Sequence, residues 1–293
     1  MTALIKRNLL LYFRDKASVF FSLLAVLIII GLYLLFLGDS WVKSMDDIKN
    51  AKVIMDSWIM AGLLAVVSLT TTMGAFGIMV EDRHNGISKD FYSSPVSRLS
   101  VTGGYIFSAC LVGMIMSLIT FVFAQIYIIS KGGDMLGFAA ILQVLGLIAL
   151  TCLANTAMVG FVVSYLKSQN AFSTASTVIG TLMGFIAGIY MPMGIMPESI
   201  QYVIKAVPVA HAGALFRQIL LETPLNEGFA LNQAVNPAAV QTAREEFCKT
   251  MGIKLFAGET FIKPSYSIAY LAVTSLIFFS LTVLAYRRKK KAL

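Results

Sequence analysis

Long apolar runs, each bounded by short polar or charged stretches, set the pattern of this chain. Six of them extend from Ala17 to Gly38, Trp58 to Val80, Val101 to Ile129, Leu136 to Val163, Ala171 to Met191 and Ser267 to Tyr286. None contains Asp, Glu, Lys, Arg or His. A helix of about 20 apolar residues crosses a bilayer core, so each run predicts a transmembrane helix. The first is longer than the apolar region of a cleaved signal peptide and follows an amphipathic leader, so it is expected to be retained. That leader, Thr2 to Lys16, mixes Leu4, Ile5, Leu9, Tyr12 and Phe13 with Lys6, Arg7, Arg14 and Lys16. The mixture suits a helix lying in the membrane interface, and equally a plain topogenic charge cluster.

Composition agrees with this pattern. Of 293 residues, 58% are hydrophobic and 13% charged, against about 45–50% and about 25% in soluble domains. The basic residues then set the orientation. With both termini in the cytoplasm, the inner segments hold Lys6, Arg7, Arg14, Lys16, Arg83, Lys89, Arg98, Lys167 and the run Arg287 to Lys291, while the short outer loops hold Lys43, Lys49, Lys52 and Lys131. The expected fold is an all-α integral membrane protein: six transmembrane helices, an N-terminal interfacial helix and an extracellular re-entrant or cap segment, as one domain over 1–293 in the cell membrane.

That outer segment, 192–265, is broken by Pro192, Pro197 and Pro208. Ile200, Val203, Ile204 and Val207 recur at helical spacing between the prolines, too briefly to span, which predicts a re-entrant or interface-lying hairpin. Further on, Asn236–Pro237 reads as a helix start and Gly252 as its stop. Val240, Ala243, Phe247 and Met251 would form its apolar face. Ser176, Gly180, Gly184 and Gly188 stand four apart in the fifth run, spacing that lets a second helix approach closely, from this chain or from another copy. Gln125, Gln143 and Asn155, polar but uncharged, read as interhelical hydrogen-bonding groups rather than ligands.

Familiar reaction chemistry is missing. No Walker-type phosphate loop occurs, His84 and His211 stand alone, and the cysteines Cys110, Cys152 and Cys248 form neither a zinc spacing nor a disulfide framework. Spans without ionisable residues argue against an ion-coupled transporter or pump. A driving force for transport would have to come from another protein.

The loop after the second run, 81–98, carries the most distinctive chemistry. It reads Glu81-Asp82-Arg83-His84-Asn85-Gly86, then a short helical piece from Ile87 to Tyr92, then Ser94-Pro95-Val96-Ser97-Arg98. Charged groups beside Phe91 and Tyr92 form the apolar anchor and charged rim of a docking element; an ordinary solvated loop is the alternative. Together with the N-terminal amphipathic segment and the Gly188, Pro192, Pro197, Pro208 spacing, this loop resembles that of the type-2 ABC exporter permeases, six-span subunits paired with a separate ATPase. The likeness covers nearly the whole chain, with one departure: Lys89-Asp90-Phe91-Tyr92 stands where relatives have a more leucine-rich stretch.

The resemblance implies a coupling helix seated in a groove of the ATPase, with Glu81, Asp82, Gly86, Ile87, Lys89, Phe91, Tyr92, Pro95 and Arg98 as the coupling residues and Tyr165 to Asn170 as a lesser contact. It also implies two ATPase copies, which bind ATP and Mg²⁺, and a second permease chain, identical or homologous. No cofactor, metal, catalytic residue or nucleic acid is expected for this chain itself. The implied function is export of an amphipathic substrate (a drug, an antimicrobial peptide or a lipid-like molecule), as in drug or antibiotic resistance. A membrane sensor or interaction protein without transport is the alternative, and an integral membrane enzyme is disfavoured by the missing reactive cluster.

Overall fold

A computed structural model describes residues 1–33, 48–166, 168–233, 237–258 and 260–289. Its helices are α1 (Thr2–Arg14), α2 (Lys16–Leu32), α3 (Ala51–His84), α4 (Ile87–Ser93), α5 (Arg98–Ser130), α6 (Phe138–Tyr165), α7 (Gln169–Ile186), α8 (Glu198–Lys205), α9 (Pro208–Leu220), α10 (Glu222–Gln233), α11 (Pro237–Thr250) and α12 (Pro264–Lys289). A 3₁₀ turn covers Met193–Ile195. The antiparallel pair β1 (Phe256–Ala257) and β2 (Thr260–Phe261) forms a small hairpin in which Phe256 faces Phe261.

Among the described residues, α3, α5, α6 and α12 are long and apolar enough to cross a membrane. The pair α8–α9, bent by 91° at its break, adds a fifth crossing if it counts as one span. The remaining two runs expected to span also form helices, but their described parts are shorter or more polar than the four long ones. Helix α2 has 17 residues, and the end of its run, residues 34–38, lies outside the described residues, as do Lys43, Lys167, Asn236, Lys290 and Lys291 among the positions singled out above. Helix α7 has 18 residues, begins on Gln169 and Asn170, and carries Ser173, Thr174, Ser176, Thr177 and Thr181. Hydroxyls and amides dilute its apolar character.

Helix α3 is the centre of the bundle. It is apolar on every side and buried along nearly its whole length, as expected of a helix with no solvent face. Helices α5, α6, α9, α2 and α7 pack around it, and α12 packs on α6. Small residues set the closest crossings: Gly113 of α5 lies against Thr72 and the Ser68 carbonyl, and Gly62 against Ile189 and Arg217. Asn155 of α6 donates to the Ser68 hydroxyl at 2.6 Å, an interhelical bond between two uncharged groups.

Helix α3 is longer than the charge-free run that predicted it. It starts seven residues earlier and ends four later, which brings Asp56 and Asp82 inside its end turns, both buried. Asp56 Oδ1 accepts from the Tyr33 hydroxyl at 2.7 Å and from Tyr127 at 3.3 Å. At the other end of the N-terminal region, Asp15 caps α2 by accepting from the backbone N–H of Ala17 and Ser18 and from the Ser18 hydroxyl. Those donors hold its carboxyl below the usual carboxylate range.

At the opposite end of the bundle from α4, Arg217 of α9 ties the cap together. Its guanidinium is buried, donates to the carbonyl of Ala187 at 2.7 Å and reaches that of Gly252 at 3.5 Å. It also lies over the Trp58 ring, 4.5 Å from the centroid. The Trp58 indole N–H in turn donates to the Met251 carbonyl at 2.7 Å. Gly188 and Gly252 both take positive φ, +66° and +62°, which turns the chain just past the C-terminal ends of α7 and α11. The guanidinium thus meets the carbonyl-rich ends of two helices, where a cation is favoured. His211 fixes the α8–α9 corner: its Nε2–H donates to the Lys205 carbonyl at 2.9 Å, so Nδ1 accepts from Ser267 at 3.0 Å.

Replacing Arg217 with Ala should therefore leave buried carbonyls unanswered and lower stability by more than about 2 kcal/mol. Trp58→Phe, which loses one N–H donor, should cost about 1 kcal/mol. Thermal unfolding of the purified chain in detergent measures both, and a larger loss for Trp58→Phe would contradict this order.

Candidate functional site

The end of the bundle formed by the 81–98 loop brings together parts of the chain that are far apart in sequence. Helix α3 stops at His84, and Gly86, at φ +80°, turns the chain into α4. After Ser94 the chain is extended, and the Ser97 side chain caps α5 by accepting from Ser100 N at 3.2 Å. Helix α4 is thus a two-turn helix held between the ends of two long ones.

An ion pair locks this corner to the N-terminal helix. Arg7 of α1 grips Asp82 through both nitrogens, Nη1 to Oδ2 at 2.7 Å and Nη2 to Oδ1 at 2.8 Å. The Asp82 side chain is 5% exposed and that of Arg7 32%. The Tyr105 hydroxyl of α5 donates to the same carboxylate, and the hydrogen bonds and charge of Asp82 push the Arg7 guanidinium above its usual range against the opposing effect of partial burial. The guanidinium also lies over the Phe91 ring of α4 at 5.5 Å. Next to it, Asn8 donates to the Ser108 hydroxyl at 3.1 Å. Four helices, α1, α3, α4 and α5, therefore converge on one guanidinium–carboxylate pair, whose two parallel N–H···O bonds fix its orientation as well as its energy.

The sequence-derived coupling residues divide into two groups. Glu81, Lys89, Pro95 and Arg98 are exposed, together with Asp90, Val96 and Leu99. Gly86, Ile87 and Phe91 are half-buried, and the side chain of Tyr92 lies outside the described residues. Asp82 points inward to Arg7, so it presents no carboxylate to a docking protein. Tyr105 was not singled out from the sequence, and Arg7 was read there only as one basic residue of the amphipathic leader. The available signal was an arginine inside an amphipathic segment, and nothing in its spacing names a partner 75 residues away.

From this corner a cavity of about 1040 Å³ extends between α1, α2, α3 and α7. One wall is polar: Gln169, Ser173, Ser176, Thr177 and Thr181, spaced along one face of α7. Phe21 and Ile28 of α2 form an apolar wall, and Glu81, Asn85 and Ile87 border the cavity at the loop end. The buried Gln169 Oε1 and Ser176 Oγ have no hydrogen-bond partner among the described residues. The small-residue stripe of α7 serves three different purposes. Ser176 and Gly180 border the cavity, and a side chain added at Gly180 would meet nothing. Gly184 makes room for the Tyr190 ring of the following loop, and Gly188 provides the turn that ends the helix. Pro192 precedes the 3₁₀ turn, Pro197 precedes α8 and Pro208 is the first residue of α9. Among the described residues no group of three or more His, Cys, Asp or Glu is placed to hold a metal ion.

Comparison with known proteins adds what geometry alone does not. Residues 42–284 match the model of a family described as ABC-2 family transporter protein. The linearmycin resistance permease protein of Bacillus subtilis is 29% identical over 149 residues, 50% of this chain and 37% of that protein. Nodulation protein J of Rhizobium meliloti is 32% identical over 88 residues, 30% of this chain and 34% of that protein. The chain thus spans little more than a third of the length of these curated relatives.

A double-mutant cycle on Arg7→Ala and Asp82→Ala should return a coupling of about 1.5–3 kcal/mol, the range for hydrogen bonds to charged groups. Arg7→Lys should recover less than half of it, because one ammonium cannot reproduce the two-pronged grip. Thermal unfolding reads the cycle, and a coupling below about 0.5 kcal/mol, the noise of independent sites, would show the pair to be idle.

Proposed function

We propose that this chain, which belongs to the ABC-2 family of transporter proteins, is the membrane-spanning permease subunit of an ATP-driven exporter. In this reading a separate ATPase, in two copies, binds ATP and Mg²⁺ and seats α4 in a surface groove. A second permease chain, identical or homologous, completes the transport path. Both termini and the 81–98 loop face the cytoplasm of a cell whose plasma membrane the subunit crosses six times, with α2 and α7 completing the four long helices.

The observation that carries this reading is the four-helix convergence on Arg7 and Asp82. A docking helix moves a membrane bundle only if it is fastened to it. Helix α4 is fastened through Phe91 to Arg7, and through Arg7 to the last turn of α3. Lys89, Asp90, Pro95 and Val96 are left at the surface to meet the ATPase, as a charged rim around apolar anchors. Ile87 and Phe91, half-buried, brace the helix from behind. In this chain Asp82 acts as a positioning residue rather than a contact.

The cavity supports the substrate class. Its hydroxyl-bearing α7 wall and apolar α2 wall suit a molecule with one polar and one apolar side, such as a drug, a peptide or a lipid-like compound. Ser176 and Gly180 form the part of α7 open enough for a second chain to approach. One relative is named as a linearmycin resistance permease, and resistance through export is proposed for this chain.

Co-expression with the ATPase encoded nearest to it tests the reading. Deleting residues 87–92 should abolish co-purification of the two proteins. Arg7→Ala should keep the complex but reduce ATP-dependent substrate movement at least tenfold in proteoliposomes. Intact association and export after the deletion would sink the proposal.

A further inference from the structure

A second cavity, of about 770 Å³, opens at the cap end of the bundle, between α6, α9, α10, α11 and the start of α12. Its volume falls in the range of small-molecule sites, about 300–1,000 Å³, and it lies apart from the Arg7–Asp82 corner and from the α7-lined cavity. Its floor is apolar, with Gly146, Leu147 and Leu150 of α6 facing Leu215 and Ile219 of α9. This floor continues onto a strongly apolar flank, where Leu142, Leu145 and Ile268 are exposed.

The rim is of a different kind. Two acids, Glu222 and Glu245, and two bases, Arg244 and Lys254, surround the opening, and none of the four is in an ion pair within the described residues. Arg244 spends one nitrogen on the Asn226 side chain at 2.7 Å, and Glu245 accepts from Gln241 at 3.3 Å. Gln143, expected from the sequence to bond another helix, lines this cavity instead and makes no hydrogen bond among the described residues.

The geometry points to a binding site for one phospholipid with a zwitterionic headgroup, drawn from the leaflet on the cap side. Arg244 and Lys254 would take the phosphate, Glu222 and Glu245 the amine, and the acyl chain would lie along the Gly146 groove and out over Leu142 and Ile268. A rim of two acids and two bases has no net charge. A headgroup with only negative charge offers the two acids no partner, whereas one with both signs can set its phosphate against the bases and its amine against the acids. The inference does not depend on the transport reading, since it uses neither the loop end nor the ATPase.

Gly146 supplies a clean test, because a side chain built there meets no atom within 4 Å. Gly146→Leu fills the groove and also favours the helix, so it should fold as well as the parent. The full-length chain, stripped of lipid in a neutral maltoside detergent, is titrated with phosphatidylethanolamine, phosphatidylglycerol or diacylglycerol and read by native mass spectrometry. The parent chain should retain phosphatidylethanolamine at least fivefold better than either of the others. Gly146→Leu at an unchanged melting temperature, and Arg244→Glu, should each lower that retention at least fivefold. Equal or better retention of phosphatidylglycerol or diacylglycerol by the parent would overturn the inference. So would undiminished phosphatidylethanolamine binding by Gly146→Leu.

Discussion

Removing a carboxylate from water is costly unless its charge is answered by donors in good geometry, and both ends of the central helix α3 pose that problem. The two solutions differ: Asp82 is met by a cation, whereas Asp56 is met by hydroxyls alone, both on Oδ1, and its buried Oδ2 has no hydrogen-bond partner among the described residues. Asp82 is met by Arg7 from the N-terminal helix and by Tyr105 from α5. Asp56 is met by Tyr33, just past α2, and by Tyr127 from the far end of α5. The two acids are 26 residues apart, or about 39 Å along a helix rising 1.5 Å per residue. That exceeds a hydrocarbon core of about 30 Å and falls just short of a whole bilayer of about 40–45 Å. A helix centred on the bilayer would put each buried acid at the headgroup level, where residual polarity lowers its cost. The helices that supply donors, α1, α2 and α5, are held against α3 by these contacts at both faces.

The class of fold was legible because it depends on a one-dimensional property. A run of apolar residues long enough to cross a bilayer is visible without any knowledge of partners, and α3, α5, α6 and α12 all coincide with such runs. Helix α4 was legible for a similar reason, since Gly86 and Pro95 bracket it in the sequence. What sequence could not supply was the assignment of polar groups to one another. Asp82 reads as part of a charged surface loop, yet it lies in the last turn of a buried helix, because the helix runs past the apolar stretch until Gly86 stops it. Arg217 reads as one more basic residue in a mixed outer segment. Its burial follows from the meeting of two helix C-termini, at Ala187 and Gly252, and that meeting is set by tertiary packing. The small-residue stripe of α7 is a third case. Four residues with one spacing have three different neighbours, because the helix ends before the stripe does.

The two cavities divide the molecule's polarity between them in opposite ways. The one bordered by α7 has its hydroxyls along a helix face and no fixed charge in the middle of its length, so it holds a polar surface without preferring either sign. The one at the cap end concentrates charge at its mouth and keeps its floor apolar. Substrates of mixed character suit the first, and an anchored amphiphile the second. The first cavity borders α3 directly, whereas the second is lined by α6, α9, α10, α11 and α12 and by no residue of α3. Small residues that would bring another helix close, Gly180 in one and Gly146 in the other, instead face open space.

Fastening α3 at both faces has a mechanical consequence. A rod braced near its two ends does not absorb a push locally; it passes the push along its length by tilting as a whole about its firmer joint. Over about 39 Å, a tilt of roughly 5° about the Arg7–Asp82 joint shifts the Asp56 end by about 3 Å, close to the width of one water molecule. Trp58, two residues further along, would carry that shift through Met251 and Arg217 into the cap. A small stroke at one membrane face thus becomes a sideways displacement at the other without any change in the helix's length.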